Sequence, residues 1–154
     1  MKFFKNQQEV KKVIKPWGHE LWLASEATNS FYAFKEIFIK SGYKTSFQFH
    51  SKKFETNYII SGLGELHISN SVIDEKKFIN NLYEPQELEE LINNLNVFTL
   101  KPGCVFNVSP GFVHSVFSKN DLVMCETSTL HLDDVYRIND EYGRNHGRID
   151  SEHA

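Results

Sequence analysis

The sequence contains little cysteine and has no long apolar run. Its two cysteines, Cys104 and Cys125, lie far apart and form no Cys-x-x-Cys pair. A disulfide framework is therefore not expected, and a reducing cytoplasm fits. No segment approaches the roughly 20 apolar residues of a membrane-spanning helix, and the N-terminal residues lack the apolar stretch of a signal peptide. These absences predict a cytoplasmic protein with no membrane partner.

The sequence also lacks an excess of positive charge. Its 17 Lys and Arg residues are outnumbered by 20 Asp and Glu residues, which gives a net charge of −3. Proteins that bind nucleic acid or an anionic membrane surface usually carry a basic stripe or a Lys/Arg-rich run. The chain has neither, so the expected partner is a small molecule.

Aromatic residues are abundant, and they indicate the class of fold. The 154 residues suit one domain, with residues 1–13 as a polar N-terminal arm or short helix and residues 131–154 as a C-terminal tail. The 13 Phe and 6 Tyr residues favour strands. Short segments rich in aromatic and β-branched residues alternate with turn residues, which predicts an all-β sandwich or barrel. The predicted strands cover residues 32–40, 45–50, 54–60, 65–69, 97–100, 105–108, 113–117 and 122–127.

One segment interrupts this series of strands. Apolar residues recur at helical spacing between residues 84 and 95. Pro85 fits a first helical turn, and acidic residues crowd the same end, as the helix dipole prefers. The sequence therefore predicts one short amphipathic helix inserted near residues 85–95.

Two segments place metal-ligating side chains together. In a strand, residues two apart share a face, so Gln48 and His50 point the same way, and Lys53 and Glu55 share a face of the next strand. A hairpin between these strands brings Gln48, His50 and Glu55 to one point, and a second turn-rich segment leads to His114. Imidazole, carboxylate and amide oxygen suit Zn, Mn, Fe(II), Co or Ni. A single His in a β protein is more often packed or solvated, so the prediction depends on the joint spacing.

The joint spacing resembles that of the cupin superfamily. Gly42 to Gly62 read G-x5-Q-x-H-x4-E-x6-G, and Gly103 to His114 read G-x5-S-P-G-x2-H. The resemblance implies a double-stranded β-helix, also called a jelly-roll barrel. It also implies one divalent transition metal ion, with zinc expected first, held by the four side chains Gln48, His50, Glu55 and His114.

Three further motifs resemble the type II mannose-6-phosphate isomerase family, which also occurs fused to mannose-1-phosphate guanylyltransferases. They are Lys-Pro-Trp-Gly at 15–18, Ser-Phe-Gln-Phe-His at 46–50, and the Asp-Asp…Arg…Asp…Tyr-Gly-Arg pattern within 132–144. The resemblance implies a homodimeric sugar or sugar-phosphate isomerase or epimerase of carbohydrate metabolism. Ser46 and Lys53 also match motif positions of type I phosphomannose isomerases, where the Ser lies near the substrate phosphate and the Lys beside the reacting centre.

Four residues beyond the ligands are candidates for the chemistry. Lys53 is a candidate catalytic base, and Arg137 a candidate to bind a phosphate or an enediolate. Ser46 and Glu126 are candidate substrate-binding residues. The alternatives are a solvated turn lysine at position 53, a structural ion pair of Arg137 with a nearby Asp, and a Glu126 that only orders its neighbours.

Two other functions stay open from the sequence. One is a different metal-dependent cupin enzyme, a dioxygenase or a lyase. The other is a non-catalytic sugar-binding cupin that retains the fold without a competent base.

Overall fold

The computed structural model describes residues 3–138 and 146–148. The remaining positions lie outside the described residues, and they include Asp140 and Arg144 of the tail motif. After a 3₁₀ turn at Gln7–Glu9, the described chain forms ten strands and two short α-helices. The elements are β1 (Lys11–Lys15), β2 (Gly18–Ala24), β3 (Ala33–Ile39), β4 (Phe47–Phe49), β5 (Glu55–Val72), α1 (Glu75–Ile79), α2 (Pro85–Asn93), β6 (Asn96–Leu100), β7 (Val105–Val108), β8 (Phe112–Ser128), β9 (Tyr136–Ile138) and β10 (Gly147–Arg148).

All strand pairings are antiparallel and join into one curled sheet. Seven strands follow the order β1-β2-β3-β8-β4-β9-β10, while β5 pairs with β6, β7 and β8. The predicted all-β fold is confirmed. The polar arm predicted for residues 1–13 is shorter in the structure, because Lys11 to Lys15 pair with Gly18 to Trp22 across the turn at Pro16.

Alternation along the strands puts one face of the sheet in the interior. On β3, Ala33, Lys35, Ile37 and Ile39 are buried, while the residues between them are partly exposed. Ile37 and Ile39 join the main apolar core, with Ile59 on β5 and Leu122 on β8. The charged Lys35 therefore enters the same interior as the apolar side chains.

The strands β5 and β8 form one long two-stranded ribbon. The sequence predicts breaks in both strands, near residues 61–64 and 118–121, but each strand continues through its break. The register shifts between Ile59 and Gly64 accommodate the bend. Gly62 has φ +90°, and a Cβ there would lie 2.1 Å from the Asp121 carbonyl oxygen. Glycine at this position lets the two backbones approach closely where the ribbon bends.

The helices cover the outside of the sheet near β4 and β9. The predicted helix near residues 85–95 is confirmed as α2, and its Leu88 packs in a second apolar cluster with Phe49, Phe78 and Tyr136. The first helix, α1, was not predicted, and the Asp74 side chain caps it by accepting from the Lys77 N–H. No helix in the described ranges has the length and apolar character needed to cross a membrane.

Candidate metal centre

Three predicted ligands meet inside the curled sheet. His50 directly follows β4, Glu55 begins β5, and His114 lies near the start of β8. Each offers one ligand atom, and these atoms lie within 4.8 Å of one another. All three side chains are buried. The strand alternation seen in the sequence therefore brings together residues from two distant segments of the chain.

Hydrogen bonds to carbonyl groups orient both histidines. His50 Nδ1 lies 2.6 Å from the Asp134 carbonyl oxygen, and His114 Nδ1 lies 3.0 Å from the Phe112 carbonyl oxygen. A carbonyl accepts and never donates, so Nδ1 carries the proton in each ring and donates it. In the neutral ring, Nε2 then presents its lone pair to the site. Burial lowers the pKa of His114 to about 4, so this ring is neutral at pH 7.

Glu55 lies between the two imidazoles. Its Oε2 is 3.5 Å from His50 Nε2, and its Oε1 is 3.6 Å from His114 Nε2. Burial disfavours the carboxylate, but the Lys53 ammonium outweighs burial and holds the pKa of Glu55 well below its usual range. The Asn57 amide donates to Oε1 at 3.3 Å and steadies the carboxylate.

The donor set fits a divalent transition metal ion. His50 Nε2 is buried and makes no hydrogen bond within the described part of the chain. A bare, buried imidazole nitrogen is costly unless something binds it. Ligand atoms about 2.1 Å from one ion are about 3 to 3.4 Å apart, which is close to the 3.5 and 3.6 Å between the Glu55 oxygens and the two Nε2 atoms. Two nitrogens and one carboxylate leave room for further ligands.

The structure brings Gln48 and Ser46 to the same cavity as the triad. The Ser46 hydroxyl donates to Gln48 Oε1 at 2.8 Å, which orients the amide. Gln48 pairs in register with His114 on one side and Arg137 on the other. Ligation by Gln48 and substrate binding by Ser46 remain predictions.

Lys53 connects the metal ligand to a second carboxylate. Its Nζ lies 2.9 Å from Glu55 Oε2 and 2.9 Å from Glu126 Oε1. The side chain is buried, so the alternative of a solvated turn lysine is wrong. Burial alone lowers the pKa of Lys53, but the two carboxylates outweigh it and raise the pKa above its ordinary value. Lys53 is therefore a stable ammonium ion in this geometry, which does not suit the expected role of a base.

Arg137 is the cross-strand neighbour of Gln48 on β9. It is buried on β9, but it is not among the side chains that line the cavity around the triad. A catalytic role for Arg137 remains a prediction.

The cavity beside the triad is small and charged. It measures about 60 Å³, which is space for a few water molecules, and Trp17, Phe106 and Met124 supply part of its apolar wall. The charged lining residues are three lysines and three glutamates: Lys15, Lys35, Lys53, Glu20, Glu55 and Glu126. The sequence reasoning missed Lys15, Glu20 and Lys35. The signal for Lys35 was its alternation with Ile37 and Ile39, which predicts that it shares their buried face.

The segment between β8 and β9 hydrogen-bonds to the turn at residues 51–54, which joins β4 to β5. Within the described part of the chain these two strands pair with other strands and not with each other, so the hairpin expected from the sequence is wrong. The Asp134 carboxylate accepts from the backbone N–H groups of Ser51, Lys52 and Lys53 at 3.0, 2.6 and 2.9 Å. Its carbonyl holds His50, and Leu132 and Val135 line the cavity. Asp134 thus holds both the His50 ring and the turn that leads from His50 to Glu55.

Comparison with known proteins identifies the fold and leaves the family open. No protein-family profile and no curated protein sequence match the chain. Among solved structures, the capsular polysaccharide assembling protein CapF from Staphylococcus aureus aligns with a TM-score of 0.61 and 14% identity. The alignment covers 85% of this chain and 34% of CapF, so the chain spans about a third of that protein.

Two other structures extend the comparison to proteins of similar length. Streptomyces PAC13, described as a nucleoside dehydratase, aligns with a TM-score of 0.64 and 12% identity over 90% of this chain and 92% of that one. An uncharacterised Klebsiella pneumoniae protein with a double-stranded β-helix domain aligns with a TM-score of 0.60 and 13% identity over 91% of this chain and 100% of that one. At these identities the likeness establishes the fold alone. The chain has the double-stranded β-helix fold predicted from its cupin-like motifs, with a buried His-Glu-His candidate metal centre inside it.

Proposed function

We propose that the chain is a metal-dependent isomerase that moves a proton between adjacent carbons of a small hydroxy-carbonyl compound, such as a sugar or sugar phosphate. The observation that carries the proposal is the buried contact between Lys53, Glu126 and the metal ligand Glu55. An ammonium group and a carboxylate, held side by side at a metal centre, are an acid and a base within reach of one substrate.

Each residue has a distinct part in the proposed reaction. The histidines and Glu55 hold the ion, which supplies positive charge beside the substrate oxygens and stabilises negative charge that develops there. Lys53 bonds to Oε1 of Glu126. In the proposal, Oε2 of Glu126 removes the proton from one carbon and returns it to the next. The Lys53 ammonium gives a proton to the carbonyl oxygen as it becomes negative and takes one back from the neighbouring hydroxyl, so the carbonyl and the hydroxyl exchange places and Lys53 is again an ammonium.

This assignment differs from the sequence expectation for two residues. Lys53 was the candidate base, but two carboxylates 2.9 Å away favour its charged form. Glu126 was a candidate substrate-binding residue, and the proposal makes it the base. A lyase would use the same pair differently, with Glu126 removing a proton and Lys53 protonating a departing hydroxyl.

The test follows the fate of a carbon-bound proton. The metal-loaded chain is incubated in D₂O with a panel of aldoses, ketoses and their phosphates, and deuterium incorporation is followed by NMR. An isomerase incorporates deuterium at the carbon next to the carbonyl, and Glu126→Gln lowers this rate by at least about 100-fold because the base is lost. Metal content of the variant should stay near one ion per chain, because Glu126 is not a ligand.

Other outcomes would identify the alternatives. Loss of water from the substrate indicates a lyase, and consumption of dioxygen indicates a dioxygenase. Binding without any turnover indicates a non-catalytic sugar-binding protein, and each of these results would overturn the isomerase assignment.

A further inference from the structure

A second charged group lines the cavity together with the metal triad. Lys35 enters the interior from β3 and is 3% exposed. Lysines are almost never this deeply buried unless they are paired. Lys35 pairs in register with Glu126, the proposed base, so the two residues are direct cross-strand neighbours on β3 and β8.

Neighbouring side chains hold Lys35 in place without using all of its donors. Its Nζ lies 3.2 Å from Glu20 Oε2, and that same oxygen accepts from the Trp22 indole N–H at 2.9 Å. The ammonium also lies 5.0 Å from the centre of the Trp22 ring. Among the described residues, Lys35 makes this one hydrogen bond, so two of its three N–H donors remain for a bound molecule.

The charge balance of the cavity indicates what that molecule carries. Three lysines and three glutamates line it, so their formal charges cancel. A divalent ion on the neutral imidazoles adds two positive charges. A cavity with this excess, walled by apolar side chains, favours an anion strongly.

We propose that Lys35 binds the acidic group of the substrate, so that the ligand of this site is a small hydroxy-carbonyl compound bearing a carboxylate or phosphate. The inference rests on the proposed function and deepens it. The substrate oxygens face the triad and the acidic group meets Lys35. Glu126, next to Lys35 across the sheet, then faces the carbons between them. The cavity volume of about 60 Å³ limits the enclosed part of the ligand to a few atoms.

A matched pair of ligands tests this inference without requiring turnover. Hydroxypyruvate and hydroxyacetone share a hydroxy-ketone end and differ in a carboxylate against a methyl group. Calorimetry on the full, zinc-loaded chain measures the affinity of each. The wild type should bind hydroxypyruvate at least about tenfold more tightly, because only hydroxypyruvate offers a carboxylate for a charge-assisted hydrogen bond from Lys35. Glycolaldehyde phosphate and glycolaldehyde form a second pair that separates a phosphate preference from a carboxylate preference.

The variants assign that preference to one side chain. Lys35→Met should reduce it to within about twofold, whereas Lys40→Met, at an exposed position directly after the same strand, should leave it intact. If Lys35→Met fails to fold because the ion pair with Glu20 is lost, Lys35→Met with Glu20→Gln removes both charges and should show the same loss.

The outcomes separate this inference from the proposed reaction. An undiminished acid preference in the Lys35 variants would overturn the inference, as would failure of the wild type to bind either acidic ligand. Acid-selective binding that depends on Lys35, without deuterium exchange at carbon, would support the anion site and refute the isomerase.

Discussion

At the scale of single residues, Asp134 connects the segment between β8 and β9 to the turn at residues 51–54, which lies between the ligands His50 and Glu55. Burial raises the pKa of its carboxyl group, but the three backbone N–H groups that it accepts from outweigh burial and hold the pKa below its usual range. Lowering the pKa of an acid in the folded state stabilises the fold above the unfolded pKa, about 3.9. This stabilisation is lost as the pH falls below that value.

Asp134→Asn tests this role through its pH dependence. The variant of the metal-free chain should be less stable than the wild type by about 2 kcal/mol at pH 7, because a neutral amide accepts these hydrogen bonds less well. The difference should shrink as the pH falls below about 4, where the wild-type carboxylate also becomes protonated. Urea denaturation at several pH values measures it, and a difference that does not change with pH would rule out the carboxylate as its source.

His114 tests the metal centre at the same scale. His114→Ala should reduce bound metal from about one ion per chain to less than about a tenth, because a ligand is removed from an already small set. Elemental analysis measures the metal, and circular dichroism should show an intact β fold, since the apolar core does not depend on the ion. His19→Ala, at a position outside the cavity lining, is the matched control. Unchanged metal content in His114→Ala would refute the ligand assignment.

The sequence predicted the metal ligands better than their surroundings. His50, Glu55 and His114 follow from strand alternation and turn spacing, which are local properties. The protonated state of Lys53 depends on Glu126, which lies 73 residues away in the chain. In the sequence, Lys35 is a single charged residue on the apolar face of a predicted strand. Its place in the cavity of the triad depends on how the strands assemble, which the sequence does not show.

At the scale of elements, the bend of the β5–β8 ribbon depends on glycine. The sequence predicted most strands but divided β5 and β8 into two pieces each. In β5 the reason is that Gly62 and Gly64 read as a turn. In the structure, these glycines bend a continuous ladder instead of ending it. The helix α1 was missed because its five residues are too few for a helical period to appear.

Gly62→Ala should lower the free energy of unfolding by more than the strain of placing an alanine at a positive φ. The new Cβ would meet the Asp121 carbonyl oxygen, so the backbones must separate at the bend. We expect a loss of more than about 3 kcal/mol. Gly42→Ala is the matched control, because Gly42 has φ +83° with no atom within 4 Å of its Cβ position, and about 1 to 2 kcal/mol is expected there. Chemical denaturation compares them, and equal losses would refute the importance of close approach.

At the scale of the whole molecule, metal binding should stabilise the fold without creating it. Ligands that come from distant segments are brought together only in the folded chain, so the ion binds the native state selectively. At 100 times the dissociation constant, the gain is about 2.7 kcal/mol, or a rise of about 5 to 10 °C in melting temperature. Thermal melts with and without zinc measure this rise, and His114→Ala should show almost none. An equal rise in the variant would mean that zinc binds elsewhere.

Some expectations at this scale remain predictions. A homodimer follows from the family resemblance alone, and light scattering on the purified chain would measure its mass. The cytoplasmic location and the assignment of all residues to one domain are also predictions from the sequence.

The β5–β8 ribbon has a mechanical consequence for the metal centre. Glu55 pairs with Ser128 at one end of the ladder, and His114 pairs with Ile68 near the other end. A straight ladder would separate these ends by about 40 Å, yet Glu55 Oε1 and His114 Nε2 lie 3.6 Å apart. The ribbon winds back on itself, and the two ligands meet where its ends approach. The separation between these two atoms therefore depends on the curvature of the whole ribbon. A change in that curvature anywhere along β5 or β8 should move the ligands apart and weaken metal binding.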